Sequence, residues 1–287
     1  MTTDEKAIAN AFIAACFDEL EAPKPGNVHV YLDGHRMTAA DFRRSAEAAA
    51  APIARAGASV GMRILGAIEA TRAAVNDNTN LGIVLLCAPL ARAAEQSIGS
   101  LRQATAQVLV ALDREDADLA FRAIALAAPA GLGRVETHDV FQPATVSLLE
   151  AMAAAAERDR IARQYANGFS DIFDLGRSSF DTARRHWGDD QKAVTLAVYL
   201  SFLAAFPDTH IERKFGREIA LSVQQEAEPL NEAAQKWGDP APIFSSCLAF
   251  DARLKARGLN PGASADLTVA TLFSWRLENA KSSELIS

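Results

Sequence analysis

The chain has 287 residues, 49% of them hydrophobic and 23% charged, so it holds enough apolar surface for a buried core and shows no compositional sign of disorder. Its 29 basic and 36 acidic residues give a formal charge of -7, which argues against a protein that coats nucleic acid. A local cationic cluster that binds a small anion remains compatible with this balance.

Cys16, Cys87 and Cys247 are far apart among apolar neighbours, so neither a disulfide framework nor a cysteine metal cluster is expected, and a reducing cytoplasm fits best. The start, MTTDEK, lacks the basic opening and cleavage site of a secretory signal. The longest apolar runs, Leu81 to Ala91 and Ala193 to Phe206, fall short of the roughly 20 residues of a membrane helix.

Taken from the N-terminus, Ile8, Phe12, Cys16 and Leu20 recur at helical spacing. The helix should break in EAPKPGNVH, Glu21 to His29, where Pro23 and Pro25 stiffen the chain and Gly26 permits a sharp turn. This corner is either an ordinary turn with a solvated Lys24 or a loop whose lysine and backbone N–H groups hold an anion. Thr38 and Asp41 then form a capping-box pattern ahead of the next helix. Val60, Ile64, Ile68 and Val75 mark a third, in which Gly61 and Gly66 cost roughly 1 kcal/mol each against alanine and should permit close helix approach. Pro52 and Pro89 fall inside helical patterns and should bend or restart them.

The segment NDNTNLG runs into an apolar helix, so Asn78, Thr79 or Asn80 should be its N-cap, with first-turn N–H groups free for a phosphate or carboxylate. Plain capping would need only one of these polar residues. A third polar island, GLGRVETHDV, spans Gly131 to Val140. Gly168, Pro207 and Gly258 are helix stops. After Pro207 come Asp208, His210, Glu212, Arg213 and Lys214, which read either as a solvated charge network or as a place for Mg²⁺ and polyphosphate together. In GLNPGASADL, Asn260, Pro261 and Gly262 make a turn, Ser264 can cap, and Asp266 is either a first-turn acid stabilised by the helix dipole or a base or metal ligand. With no repeat, linker or composition shift, the expectation is one compact all-α domain over residues 1–287, with about ten or more helices.

Together, PKPG, NTNLG, DTHIERKFG and NPGASADL, in this order between Pro23 and Leu267, resemble the triphosphoribosyl-dephospho-CoA synthase family. The resemblance implies an all-helical transferase: an acceptor hydroxyl attacks the anomeric carbon of ATP, adenine leaves, and the triphosphate stays on the transferred sugar. It implies Mg²⁺, and dephospho-CoA or another coenzyme precursor as acceptor. Where the familiar enzymes read PGLVD and NTHKG, this chain has Pro25-Gly26-Asn27-Val28-His29 and Asn78-Thr79-Asn80-Leu81-Gly82, and Gly34, His35 and Met37 only loosely match GAHxDM. It is therefore similar to a divergent branch found in archaea and one-carbon-utilising bacteria, for which a role in pterin-type or furan-type coenzyme synthesis is implied.

Breaking an N-glycosidic bond builds positive charge on the sugar and negative charge on the base, so the site needs a carboxylate near the ring and a proton donor near the purine. On this reading Asp208 and Asp266, with Asp174 or Glu136, bind Mg²⁺ or activate the acceptor, and His29 or His210 protonates adenine. Lys24, Arg134, Arg213 and Lys214 neutralise phosphates, and Pro25, Gly26, Asn27, Asn78, Thr79, Asn80, Gly82, Asn260, Gly262 and Ser264 shape the nucleotide loops. Two other readings compete. His138-Asp139, with His35 and His210, would suit a metal-dependent helical phosphohydrolase, whereas the changed Asn80 and Leu81 would suit a non-catalytic nucleotide-binding homologue. A homodimer is expected from small-residue helix faces and base rates.

Overall fold

Side-chain caps start most of the helices. In the computed structural model, which describes residues 1–32, 37–96, 99–129 and 138–284, Thr2, Thr38, Ser100, Asp113 and Ser147 each form a complete capping box. Each satisfies first-turn N–H groups that would otherwise lack partners. Among the described residues there are fourteen α-helices and one π-helical turn, with no strand.

In chain order the helices are α1 (Thr3–Glu21), α2 (Ala39–Ala54), α3 (Val60–Val75), α4 (Leu81–Ala94), α5 (Leu101–Val110), α6 (Arg114–Ala127), α7 (Leu148–Ala155) and α8 (Arg160–Asn167). The π-turn Asp171–Gly176 leads into α9 (Arg177–Trp187), followed by α10 (Gln191–Ala205), α11 (Thr209–Phe215), α12 (Arg217–Ala234), α13 (Ala241–Ala256) and α14 (Gly262–Glu284). The expected stops hold: Gly168 caps α8 at φ 67°, and α10 ends just before Pro207. Gly258, at φ 70°, follows α13. Pro52 and Pro89 both lie inside continuous helices.

One large apolar cluster joins α1 to α8 with α9, α10 and α14. A smaller one lies between α10, α12 and α13 and includes Tyr199, Leu203, Val223, Phe250 and Leu254. α14 packs against α1, α4 and α10, which places its first turn near the starts of other helices. Small residues allow this density. A Cβ on Gly61 would stand 2.7 Å from the Asp116 backbone, and Gly61 N–H donates to Asp116 Oδ1 at 2.6 Å, so α3 and α6 touch main chain to main chain. Among the described residues no single helix is long and apolar enough to cross a membrane. All three cysteines are buried and free.

Candidate active site

Helix ends from distant parts of the chain surround one cavity of about 720 Å³, and each of the five polar islands contributes to its lining. Asn27 comes from the first, Asn78 to Gly82 from the second, and His138 and Asp139 from the third. The fourth gives His210, Arg213 and Lys214, and the fifth gives Asn260, Gly262 and Asp266. Phe121 and Ile124 of α6, Met152 of α7 and Ile161 of α8 give the same cavity an apolar portion.

Two glycines set where the reactive side chains stand. A Cβ on Gly82 would fall 2.0 Å from Asp266 Oδ2, and one on Gly262 would fall 2.3 Å from His210 Nδ1. Neither glycine has a positive φ, so close approach, not turn geometry, requires them. The Asp266 carboxyl therefore packs on the first turn of α4, where the sequence suggested a phosphate seat. Asn80 occupies the N-cap position of α4, but the capping bond comes from Asn78, whose Oδ1 accepts from Leu81 N–H at 3.3 Å. Asn80 Nδ2 instead donates to Thr71 Oγ1 at 3.0 Å, and Thr79 Oγ1 donates to Ser45 Oγ at 2.6 Å. Burial, and then the charges of Glu19, Asp208 and Asp159, push Asp266 well above the usual carboxylate range, against a smaller pull from Arg213.

Asp208 does not line the cavity. Its Oδ1 accepts from His210 and Ile211 N–H at 2.9 and 3.3 Å, and its Oδ2 accepts from Ser264 N–H and Oγ–H at 2.8 Å each. These four bonds use the carboxylate as a brace between the starts of α11 and α14, leaving no lone pair directed at a metal or substrate. Ser264, its partner, is likewise set behind the wall. Burial raises the Asp208 carboxyl, and the same donors oppose that rise.

The PKPG corner is also held from behind. Tyr199 donates to Pro25 O at 2.6 Å and Gly26 N–H to Asp251 Oδ1 at 2.8 Å. Gly26, at φ 79°, lies so close to Pro261 that a Cβ would stand 2.7 Å from the proline ring. The corner's contribution to the cavity is Asn27, whose Nδ2 donates to Asn260 Oδ1 at 2.8 Å and so links the first and fifth islands. Lys24 is wholly buried: its Nζ lies 3.0 Å from Glu19 Oε1 and donates to Val28 O at 2.7 Å, so it does not reach the lining. His29 is buried too, with Nε2 3.2 Å from Asp251 Oδ2, and it is not part of the cavity lining. Asp174 is half exposed, paired with Arg102 at 2.5 Å, and apart from the others. Arg134, Glu136 and His35 lie outside the described residues.

Two lining carboxylates, Glu19 and Asp159, lie outside the five polar islands. Glu19 sits three residues after Cys16, on the buried stripe of α1, and an acid on an apolar stripe was the available signal. Asp159 caps α8 through Oδ1 and meets Arg213 Nη1 through Oδ2 at 3.3 Å. Among the described residues no three His, Cys, Asp or Glu side chains are grouped to hold a metal by themselves.

The cavity thus brings cationic side chains, an acid held near other acids and apolar surface into one lining. Residues 5–285 match the model of the CitG family, ATP:dephospho-CoA triphosphoribosyl transferase. The chain belongs to that family and is a transferase of the triphosphoribosyl-dephospho-CoA synthase kind. It shares its fold with a crystal structure from Archaeoglobus fulgidus that carries the provisional name triphosphoribosyl-dephospho-CoA synthase: the TM-score is 0.61 at 23% identity, over 80% of this chain and 95% of that one. No curated protein matches by sequence.

Proposed function

We propose that the cavity transfers the triphosphoribosyl group of ATP to a hydroxyl of dephospho-CoA or a similar coenzyme precursor and releases adenine. The acceptor oxygen bonds to the anomeric carbon, the bond from that carbon to adenine breaks, and the electron pair leaves with the base, which takes up a proton. Arg213 and Lys214 are assigned to the triphosphate, Asp266 to the proton donated to adenine, and His210 to a hydrogen bond with the nucleotide. The observation that carries the reading is the seating of Asp266 and His210 on Gly82 and Gly262 in one lining with Arg213 and Lys214. An acid with a raised pKa is what a leaving purine requires near neutral pH.

Magnesium fits this lining in one way. With no three-residue cage among the described residues, the ion would arrive on the phosphates, and Asp159 beside Arg213 is the carboxylate assigned to share it. When bound, it would neutralise charge on the triphosphate. A cytoplasmic, homodimeric enzyme belongs to the same proposal, and the three buried, unpaired cysteines support its cytoplasmic part.

Incubation with ATP, Mg²⁺ and dephospho-CoA, followed by chromatography, should give free adenine and an acceptor heavier by a triphosphoribosyl group. Asp266→Asn should lower the rate by about a hundredfold or more. Release of ADP or orthophosphate in place of adenine would overturn the reading.

A further inference from the structure

The attacking hydroxyl must lose a proton while adenine gains one, so the transfer needs an acceptor for the first proton as well as a donor for the second. The cavity offers several carboxylates. Asp159 spends Oδ1 on two backbone N–H groups, and its Oδ2, beside Arg213, is the oxygen assigned to the metal, while Asp77 Oδ1 accepts from Asn78 N–H. Asp139 Oδ1 is bound by Phe141 N–H, and Glu212 pairs with Arg217. Asp266 stands among other acids, which suits it to carry a proton rather than to take one up.

Glu19 differs from all of these. It is 4% exposed yet lines the cavity, and its counter-ion is a lysine that is 0% exposed. The ammonium is fixed on one side by Glu19 Oε1 at 3.0 Å and on the other by Val28 O at 2.7 Å. A cation so enclosed cannot grip a triphosphate. It can hold one oxygen of Glu19 in place and balance its charge, leaving the other for the cavity.

Resting on the transferase reading above, we propose that Glu19 accepts the proton of the attacking acceptor hydroxyl and that Lys24 is the positioning residue that holds it. The proton passes from the acceptor oxygen to Glu19 as the new bond to the anomeric carbon forms, and Asp266 gives its own proton to adenine. One proton is gained and one lost at the cavity wall, so the reaction balances without a co-reactant. The lysine of the PKPG corner thus acts through a neighbour on α1, five residues earlier in the chain. Burial raises Glu19 and lowers Lys24, and each partner opposes the other's shift.

The test compares wild type, Glu19→Gln, Lys24→Met and the double variant, reading adenine release under saturating and limiting ATP and, separately, ATP binding by calorimetry. Each single variant should lose about a hundredfold or more in kcat. KM and calorimetric affinity for ATP should stay within about threefold of wild type, as expected for an interaction made in the transition state alone. The double variant removes both charges and should keep the helical circular dichroism and melting of a folded protein. Its kcat should be no lower than that of the weaker single variant, because both changes remove one function. Loss of ATP affinity in Lys24→Met with kcat retained, or full kcat in Glu19→Gln, would overturn this inference alone. No adenine from wild type with any acceptor would overturn the transferase reading and this inference with it.

Discussion

Lys24–Glu19 and Arg63–Glu95 are both ion pairs with a wholly buried cation, yet their carboxylates face different surroundings. Arg63 Nε donates to Ala58 O at 3.1 Å, a second arm reaches Ile53 O, and the third meets Glu95, which also binds Arg92 at 2.6 Å. That guanidinium closes off the end of α2 and ties it to α3 and α4, and Glu95 lies outside the cavity lining. Lys24 spends its bonds on one carbonyl and one carboxylate, and that carboxylate borders the cavity. Burial alone therefore does not separate a brace from a working group. What the acid fronts does.

The largest effect expected from this contrast is on stability. Arg63→Met would leave Glu95 without its buried partner and two carbonyls without their donor, a loss of about 3–5 kcal/mol. Denaturant midpoints should show it, while adenine release per folded molecule stays at the wild-type level. A fall in kcat larger than the loss of folded protein would break the comparison.

Asp208 sharpens it from the brace side. In Asp208→Asn the amide NH₂ would face either Ser264 N–H or the His210 and Ile211 N–H groups in place of an acceptor, costing about 1–3 kcal/mol. Because Asp208 positions the start of α11 and does not reach the cavity, turnover of the folded variant should fall less than that of Asp266→Asn. An equal fall would return Asp208 to the reacting groups.

Gly82 sharpens it from the other side. Gly82→Ala would place a methyl where Asp266 Oδ2 now lies, so the carboxyl must move. Adenine release should fall about tenfold, equivalent to roughly 1.4 kcal/mol. Stability should change by less than about 1 kcal/mol, because alanine favours the helix that the clash disfavours. Unchanged turnover would show that the seat of Asp266 is not tightly set.

The contrast also explains how much the sequence disclosed. Helices at Ile8 to Leu20 and Val60 to Val75, the Thr38–Asp41 box and the stop at Gly168 follow from local periodicity and capping, and they stand where expected. The convergence of Asn27, Asn80, His210 and Asp266 depends on how α14 packs, which no local pattern encodes. Lys24 and Asp208 look like surface groups in sequence because a turn and an N-cap are usually solvated, whereas tertiary packing encloses both here. Glu19 is the opposite case: its place on the apolar stripe of α1 is legible in the sequence, but that this stripe borders a cavity depends on the fold. The π-helical turn Asp171–Gly176 carries no local signal that separates it from ordinary helix.

The smallest effect is the one that tests the acid state of Asp266. Its folded-state pKa lies well above the ordinary value of 3.8, chiefly through burial and then through Glu19, Asp208 and Asp159. Between the two values the native protein binds a proton that the unfolded chain has released, so the protonated form's stabilisation is complete below the unfolded pKa. It is lost as pH rises through the folded pKa. Asp266→Asn lacks that proton equilibrium. Denaturant midpoints of the two proteins should therefore coincide near about pH 4 and separate toward about pH 8, with the variant the more stable by about 1 kcal/mol, an ordinary size for one substitution. A variant that is less stable than wild type at the alkaline end would mean that the ionised carboxylate is held by a cation, and Asp266 could then not serve as the proton donor to adenine.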